Sequence, residues 1–247
     1  MTLENICIKE TNDEKKRLVI VGTSSTARTI YSFVSTYDLF EVIGFAVNQE
    51  YIKQPTFCDL PVYALETLDT VIDKENDYLF VAIQWNRLNA DRRKAFEYVK
   101  SRGFKMANLI SPSAIVNGKL KGENCWIADL AILDFNVEIG DDVFVKVNAF
   151  IGPNSKVHQH CFIGAKSLIA GGCCIGEQSF IGLGATVFDQ TNIGNKCIVG
   201  ACSVVKRNMP DFTRCKTSSN SVDYTTYTED VIESKLMFAK NVRTPIS

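Results

Sequence analysis

The chain has 247 residues, of which 46% are hydrophobic, and a formal net charge of −1. This length allows two modest domains, and aromatic residues throughout the chain exclude a disordered protein. The balanced charge gives no electrostatic footprint for nucleic acid or an anionic membrane. The first residues lack a secretory signal and no apolar run reaches membrane-spanning length, which predicts a cytoplasmic protein without membrane insertion.

The first hundred residues alternate between predicted strands and predicted helices. An apolar strand at 17–21 ends at Gly22, and Thr23 and Ser24 then precede an amphipathic helix. Strands at 41–47 and 78–83 and a helix at 89–102 follow. The alternation predicts a small Rossmann-like parallel α/β sheet. The turn at Gly22 would aim backbone N–H groups from a helix amino terminus, an arrangement that suits phosphate.

From Ile139 to Val205, every sixth residue is isoleucine or valine. A helix repeats its buried stripe at 3.6 residues and a half-buried strand at 2, so this period predicts a parallel β-helix of hexapeptide repeats. The register extends back to Ile115, with Lys121 as its exception, and no insertion interrupts it between 127 and 206. Glycine often follows the aliphatic residue, where we expect the chain to turn. The residue four places after the aliphatic is small, as a tight corner requires.

The residue before each inward aliphatic should point outward, and positions eighteen apart should stack in columns on a three-sided prism. The first column is Trp126, Phe144, Phe162, Phe180 and Ile198; the second is Ile132, Phe150, Leu168, Thr186 and Val204; the third, which is polar, is Glu138, Lys156, Cys174 and Asn192. Two apolar columns in water would favour aggregation, so we expect both to be covered. Sister prisms in a homotrimer would cover them, and the amino-terminal domain is the alternative.

Nine cysteines occur, an odd number, and four of them occupy the small corner position: Cys125, Cys161, Cys173 and Cys197. Packing therefore explains their placement, and we predict reduced cysteines. His158, His160 and Cys161 lack a fourth ligand for a structural zinc ion, so no metal is predicted. Beyond residue 210, the segment 217–228 reads as a loop, and 230–241 as a short helix that caps the open end of the prism.

Four segments together resemble one family of enzymes: LVIVGTSS, VIGFAVN, ANLISPSA and the hexapeptides ending in IVGACSVVKRNMP. The resemblance is to sugar acyltransferases in which a small nucleotide-binding domain precedes a left-handed β-helix, including enzymes that acetylate UDP-amino sugars or sialic acid. It covers about residues 16–210. The left hand of the β-helix is implied by this resemblance. The implied domains are an extension at 1–15, a nucleotide-sugar-binding domain at 16–110, an acyltransferase β-helix at 111–210 and a tail at 211–247.

The resemblance implies a homotrimer that uses acetyl-CoA or another acyl-CoA as cosubstrate. A nucleotide-linked sugar would bind at Gly22, Thr23, Ser24 and Asn48, and acyl-CoA between neighbouring prisms at Gly171, Gly172, Gly200, Ala201 and Lys206. Gly171 would contact the thioester, and nearby backbone N–H groups are candidate oxyanion donors.

The histidine that acts as general base in this family aligns with Pro153, and its polar neighbour aligns with Asn154. Proline cannot accept a proton. His160 and His158, the two histidines of the chain, are the candidate catalytic replacements, because imidazole exchanges protons near neutral pH. A hydrogen bond of purely structural purpose is the other interpretation of His160. An amine acceptor would depend more on positioning than on a base.

The sequence therefore predicts an acyl-CoA-dependent acyltransferase acting on a UDP- or dTDP-linked amino sugar in surface polysaccharide or glycan biosynthesis. N-acylation is favoured because it tolerates the missing histidine. The alternatives are O-acylation of a sugar hydroxyl, transfer to a different acceptor, a noncatalytic nucleotide-sugar-binding relative, and a purely structural β-helix. The nucleotide-binding layout argues against the last of these.

Overall fold

The computed structural model describes residues 15–217 and 222–231. Its amino-terminal part is a six-stranded sheet in the order β3-β4-β2-β1-β5-β6, parallel except for the β3–β4 hairpin. The strands are β1 (Arg17–Val21), β2 (Glu41–Val47), β3 (Thr56–Phe57), β4 (Leu60–Ala64), β5 (Tyr78–Val81) and β6 (Lys105–Met106). Helices α1 (Ser25–Thr36) and α2 (Ala90–Ser101) pack on opposite faces of the sheet. Two short 3-10 helices span Gln49–Tyr51 and Leu65–Thr70.

The predicted parallel α/β domain is confirmed, with β1 and β2 at their predicted bounds. The third predicted strand, β5, ends at Val81, and α2 falls within the predicted span and is followed by Gly103 at φ 77°. The sequence interpretation missed the β3–β4 hairpin. Its two turn residues, Cys58 and Asp59, both have positive φ, and no glycine marks the turn.

The carboxyl-terminal part is a prism of two-residue strands on three parallel sheets. The covered face consists of Leu109–Ile110, Trp126–Ile127, Phe144–Val145, Phe162–Ile163, Phe180–Ile181 and Ile198–Val199. The open face consists of Ile115–Val116, Ile132–Leu133, Phe150–Ile151, Leu168–Ile169, Thr186–Val187 and Val204–Val205. The polar face consists of Lys119–Leu120, Glu138–Ile139, Lys156–Val157, Cys174–Ile175 and Asn192–Ile193.

Within each coil, the covered face leads through a first corner to the open face, through a second corner to the polar face, and through a third corner to the next coil. In the coil that starts at Phe144, these corners are residues 146–149, 152–155 and 158–161. The inward aliphatic residues and the small corner residues form one buried core. The unbroken register predicted from 127 onward is confirmed as far as Val205.

The predicted register is wrong in the first coil. Ile115 stands opposite Ile132, so it points outward and is 52% exposed, while Val116 takes the inward position. Leu120 lies opposite Ile139 and fills the place expected for Lys121. The first coil therefore shifts by one residue before the regular repeat begins.

The reason for the glycines at the corners also differs from the prediction that the chain turns at them. The left-handed turn lies two residues after the glycine position, at every sixth residue from Asn124 to Cys202, and most of these residues are not glycine. The glycine itself is required because the next coil passes close by. A Cβ on Gly176 would lie 2.4 Å from the carbonyl carbon of Gly194. Close packing between coils, not backbone freedom, therefore selects most of these glycines.

The column that begins with Trp126 is covered by the amino-terminal domain, not by a sister prism. Phe144 stacks on Phe80 of β5 at a centroid distance of 5.7 Å, and Trp126 meets Phe33 of α1 at 5.8 Å. Coverage of this column by a trimer partner was therefore a wrong prediction. The open face keeps its apolar column, with Leu168 44% exposed.

The segment after the prism forms strands β24 (Thr213–Thr217) and β25 (Val222–Thr226), counting the prism strands as β7–β23. They are antiparallel to each other, and β24 extends the covered face, so the loop predicted at 217–228 is wrong. The helix predicted at 230–241 lies outside the described residues beyond Val231, as does the predicted extension up to residue 14. Within the part of the chain that is described, no helix is both long and apolar enough to cross a membrane.

Candidate functional site

A cavity of about 510 Å³ opens at the carboxyl edge of the amino-terminal sheet. Gly22 and Asn48, which follow β1 and β2, form one side, and α2 contributes Asp91 and Lys94 to the other. Ligands of parallel α/β sheets bind at this edge, outside the carboxyl ends of the strands. The cavity therefore lies where the sequence predicted the nucleotide.

Asn48 is held in the cavity wall by Glu66. The Asn48 Nδ2 donates to Glu66 Oε1 at 3.0 Å, and the Gln49 backbone N–H donates to Oε2 at 2.9 Å. The pKa of Glu66 is lowered by its own backbone N–H and by these two donors, although partial desolvation opposes the shift. A carboxylate thus lies beside Asn48, and the sequence interpretation did not include it in the site. Because Glu66 comes eighteen residues later in the chain, no local pattern revealed it.

An adjoining cavity, also of about 510 Å³, lies against the amino terminus of α1 and contains Thr23 and Lys53. Ser24 is the N-cap residue of α1, but its side chain makes no capping hydrogen bond. The Arg28 guanidinium lies 4.8 Å from the centroid of the Phe57 ring, at this same wall. Of the four predicted nucleotide-binding residues, Gly22 and Asn48 therefore line the first cavity and Thr23 the adjoining one, whereas Ser24 lines neither. Lys53 and Arg28 are basic side chains that the sequence interpretation did not include.

The residues predicted for acyl-CoA lie on two corners of the prism. Gly171, Gly172 and Lys206 are on the second corner, whereas Gly200 and Ala201 are on the first. The open face separates the two corners within one copy of the chain. A single copy therefore does not bring these five residues into one site, although both sets border the same apolar surface.

Gly171 differs from the other glycines near the corners. A Cβ on Gly171 would meet its nearest atoms, on Pro153 and Asp189, at 3.4 to 3.5 Å, which is ordinary van der Waals contact. The φ of Gly171 is not positive, whereas the adjacent Gly172 has φ 67° because it occupies the left-handed turn position. Nothing within the fold therefore requires glycine at 171. A ligand that approaches the backbone closely would require it.

Pro153 lies one coil below Gly171, and the residues at 153 and 154 offer no proton acceptor comparable to histidine. The Pro153 carbonyl accepts the Gly172 N–H at 2.8 Å, and the Asn154 side chain accepts a hydrogen bond from Asn136 at 3.1 Å. Both contacts join neighbouring coils. The structure therefore leaves the position of the family's base without an imidazole or a carboxylate of its own.

His160 lies on the third corner, where it belongs to the junction between the two domains. Its side chain is only 6% exposed, and Nδ1 lies 3.0 Å from Asp142 Oδ2. The other oxygen of Asp142 accepts from Arg92 Nε of α2 at 2.9 Å and from Asn124 Nδ2 at 2.7 Å. His160 is also the left-handed turn residue of its coil, with φ 60°. These contacts tie His160 to the junction between the domains, while His158 is exposed on the same corner.

The corner cysteines behave as buried small hydrophobes. Burial raises the pKa of Cys125, Cys161 and Cys197 to about 12, so these thiols stay protonated. The Cys161 Sγ donates to the Gly176 carbonyl at 3.1 Å. Among residues 15–217 and 222–231, no three side chains of the metal-ligating types group together as an ion site. The absence of a metal stays a prediction.

No protein-family model matches the chain, and no curated protein matches it. Solved structures do match the chain. A crystal structure of perosamine N-acetyltransferase PerB from Caulobacter crescentus with CoA and GDP-perosamine is 26% identical, with a TM-score of 0.73 over 84% of this chain and 96% of that one. A histidine-to-asparagine variant of the same enzyme matches at 25% identity and a TM-score of 0.74, over 85% and 97% of the two chains. The acetyltransferase domain of PglB from Neisseria gonorrhoeae, at 21% identity and a TM-score of 0.73 over 85% and 100%, supports the fold.

The prism is thus a left-handed β-helix of hexapeptide repeats, and this fold together with the α/β domain defines the chain as an acyltransferase. More narrowly, its structural neighbours are the nucleotide-sugar N-acetyltransferases, as the sequence resemblance implied. The match extends through both domains, because it covers far more of the chain than the prism alone.

Proposed function

We propose that this protein transfers an acyl group, with acetyl the first candidate, from acyl-CoA to the amino group of a nucleotide-linked sugar. The carrying observation is the match across both domains to PerB, which was crystallised with CoA and GDP-perosamine. The cavity at the carboxyl edge of the sheet and the unexplained glycine at 171 support the two substrate sites. Because the proposed cosubstrates are a CoA thioester and a nucleotide sugar, we propose a cytoplasmic step in the biosynthesis of a surface polysaccharide or glycan.

The residues at the second corner favour an amine over a hydroxyl as the acceptor of the acyl group. A sugar hydroxyl needs a base as it attacks, and residues 153 and 154 provide none. A neutral amine is already a nucleophile, so N-acylation places the smaller demand on the site. The nucleotide candidates are UDP and dTDP from the sequence resemblance, and GDP from the PerB complex.

The test is to incubate the purified protein with acetyl-CoA and UDP-, dTDP- and GDP-linked amino sugars, and to identify products by mass spectrometry. Matched nucleotide sugars with a hydroxyl in place of the amine serve as the control. Gain of one acetyl group on an amino sugar would support the proposal. Nucleotide-sugar binding without turnover on the whole panel would instead favour a noncatalytic relative.

We expect that replacing either histidine changes kcat little, unlike the replacement of a catalytic base. His160→Ala should lower the midpoint of thermal unfolding, because Asp142 loses a buried partner. His158→Ala should leave stability unchanged, since the side chain is exposed. For both variants we expect kcat within about threefold of the wild type once the folded fraction is accounted for. A loss of about 100-fold in either variant, with the fold intact, would restore that histidine as the base.

We propose that the open face binds a second copy of the chain in a homotrimer. Apart from Ile110, the exposed large hydrophobic residues between 109 and 205 lie on this face or its two corners: Ile115, Leu130, Phe135, Val147, Leu168, Leu183 and Phe188. The polar face instead carries the Lys121–Glu138–Lys156 ion-pair chain. A threefold arrangement would bring the first corner of one copy against the second corner of the next.

Leu168→Lys is therefore expected to convert a trimer into a monomer, because it would bury a charge in the centre of the interface. Size-exclusion chromatography with light scattering at micromolar concentration measures the mass. Asn192→Lys is the matched control, since it adds the same charge to the outer side of the polar face. A Leu168→Lys protein that keeps the wild-type trimer mass would contradict this assignment of the interface.

A further inference from the structure

The two corners that border the open face are bulky in two coils and narrower between them. Leu130 on the first corner and Phe135 on the second are exposed in the same coil. Leu183 and Phe188 are exposed on the same two corners three coils further along. The second residue of each corner is smaller in the coils between: Val147 and Ala165 on the first corner, Pro153 and Gly171 on the second.

Symmetry determines which corners would meet in the proposed trimer. A threefold axis parallel to the prisms leaves every residue at its own height, so corners that meet across the interface belong to the same coil. The bulky corners of neighbouring copies would then contact each other. The narrower corners would leave a gap, with Val147 of one copy facing Pro153 of the next. Because coils are about 4.8 Å apart, the two bulky contacts are separated by roughly 14 Å along the prism.

Charge on the second corner indicates how acyl-CoA would lie along this gap. Lys206 and Arg207 are exposed on this corner, two coils after Gly171, whereas the corner one coil before Pro153 begins with Asp134. The anionic phosphates of CoA favour the basic end. Between the two ends, Asp189 Oδ1 accepts the Gly171 backbone N–H at 2.9 Å. With the phosphates toward Lys206 and the thioester at Gly171, the acyl group would extend toward Pro153.

The gap is apolar where the acyl group would lie. Val147 is exposed on the first corner, Phe150 is half-buried on the open face, and Pro153 is half-buried on the second corner. Lys146 is turned toward the covered face, since its Nζ lies 3.3 Å from the centroid of the Trp126 ring. The proline ring also reaches less far from the backbone than the imidazole of the aligned histidine. The coil therefore leaves room for an uncharged acyl chain longer than acetyl.

We propose that the acyl group binds between two copies, against Val147 of one and Pro153 of the next, and that the enzyme transfers propionyl and butyryl groups as well as acetyl. The two side chains are specificity-determining residues for the acyl chain. This inference rests on the proposed acyl transfer and on the open face as the trimer interface. It also explains an apolar residue at the position of the missing base.

The transfer step is the same for each acyl group. The acceptor nitrogen attacks the thioester carbonyl carbon, and a C–N bond forms. The C–S bond breaks, and its electron pair leaves on the CoA sulfur. The proton that the nitrogen loses passes to this thiolate, so the products are an amide and the free thiol of CoA.

The test measures kcat/KM with acetyl-, propionyl-, butyryl- and succinyl-CoA on the panel of nucleotide-linked amino sugars. Wild-type protein is expected to use butyryl-CoA within about tenfold of acetyl-CoA, because the added methylenes are bound in an apolar pocket. Succinyl-CoA should be poorer by about 100-fold or more, since its carboxylate would enter the pocket without a cation.

Val147→Phe fills the pocket from the first corner. It should lower kcat/KM for butyryl-CoA by about 30-fold or more and keep that for acetyl-CoA within about threefold. Val71→Phe is the matched control, because Val71 is 39% exposed on the amino-terminal domain and Val147 is 37% exposed. Pro153→Phe should repeat the selective loss from the second corner. Phe135 already occupies this corner position one coil earlier, so the prism accommodates a phenyl ring there.

Placement across two copies is tested by co-expressing Val147→Phe with Pro153→Phe. If the pocket forms between copies, about a quarter of the sites combine two unaltered corners, and butyryl transfer should return to that level. Light scattering verifies that each protein keeps the trimer mass.

Wild-type protein with no turnover of any acyl-CoA would refute the proposed function and this inference together. Three outcomes would refute this inference alone. The first is turnover of acetyl-CoA with butyryl-CoA more than about tenfold poorer. The second is a Val147→Phe trimer that treats the two acyl groups alike, and the third is no recovery in the mixture.

Discussion

Gly171→Trp is expected to reduce acyl transfer by at least 100-fold while changing the free energy of unfolding by no more than about 1 kcal/mol. The fold leaves room for a Cβ at this position, with nearest contacts of 3.4 to 3.5 Å. The indole would extend from the second corner into the space proposed for the thioester. Isothermal titration with CoA, alongside product analysis, separates lost binding from lost chemistry.

Gly176→Ala is the matched control for this variant. A single methyl group there would lie 2.4 Å from the backbone of the next coil, so the prism would have to distort. We expect this small change to destabilise the protein far more than the large change at 171. A Gly171→Trp protein that binds CoA and acylates sugar at wild-type rates would remove Gly171 from the site.

Arg92→Met is expected to destabilise the protein by about 3–5 kcal/mol, because it leaves the Asp142 carboxylate buried without its cation. Both side chains are 0% exposed. Arg92 also donates through Nη2 to the carbonyls of Asp142 and Cys161, and its guanidinium lies 4.1 Å from the centroid of the Phe144 ring. Urea denaturation at a fixed protein concentration measures the effect, since assembly contributes to apparent stability.

The neighbouring Arg93 provides the comparison. Its side chain is 33% exposed and pairs with Glu97 and Glu177 near solvent. Arg93→Met should therefore cost about 1 kcal/mol or less. If Arg92→Met unfolds at the same urea concentration as Arg93→Met, the junction between the domains does not depend on the buried ion pair.

The period of six predicted the prism because each coil repeats the same packing problem. The inward aliphatic, the small corner residue and the outward column are each determined by local geometry, and all three recur. The domain that covers the column of Trp126 is determined by contacts between residues distant in the chain, because Phe80 and Phe33 of the amino-terminal domain pack against the prism. No sequence pattern within the hexapeptides indicates these contacts.

The candidate site was predictable only in its local parts. Gly22, Thr23 and Ser24 follow one strand, and their grouping was visible in the sequence. Glu66 was missed, because it comes eighteen residues after Asn48 and no local pattern links the two.

The antiparallel strand β25 has a consequence for the whole prism. Parallel two-residue strands at the end of a solenoid expose N–H and C=O groups on which another prism could add end to end. On the covered face, β24 continues the parallel order but β25 reverses it. A reversed strand cannot template a further parallel coil in the same register. We therefore expect β25 to oppose the end-to-end addition of another prism along this sheet, and its removal should reveal a tendency to form filaments.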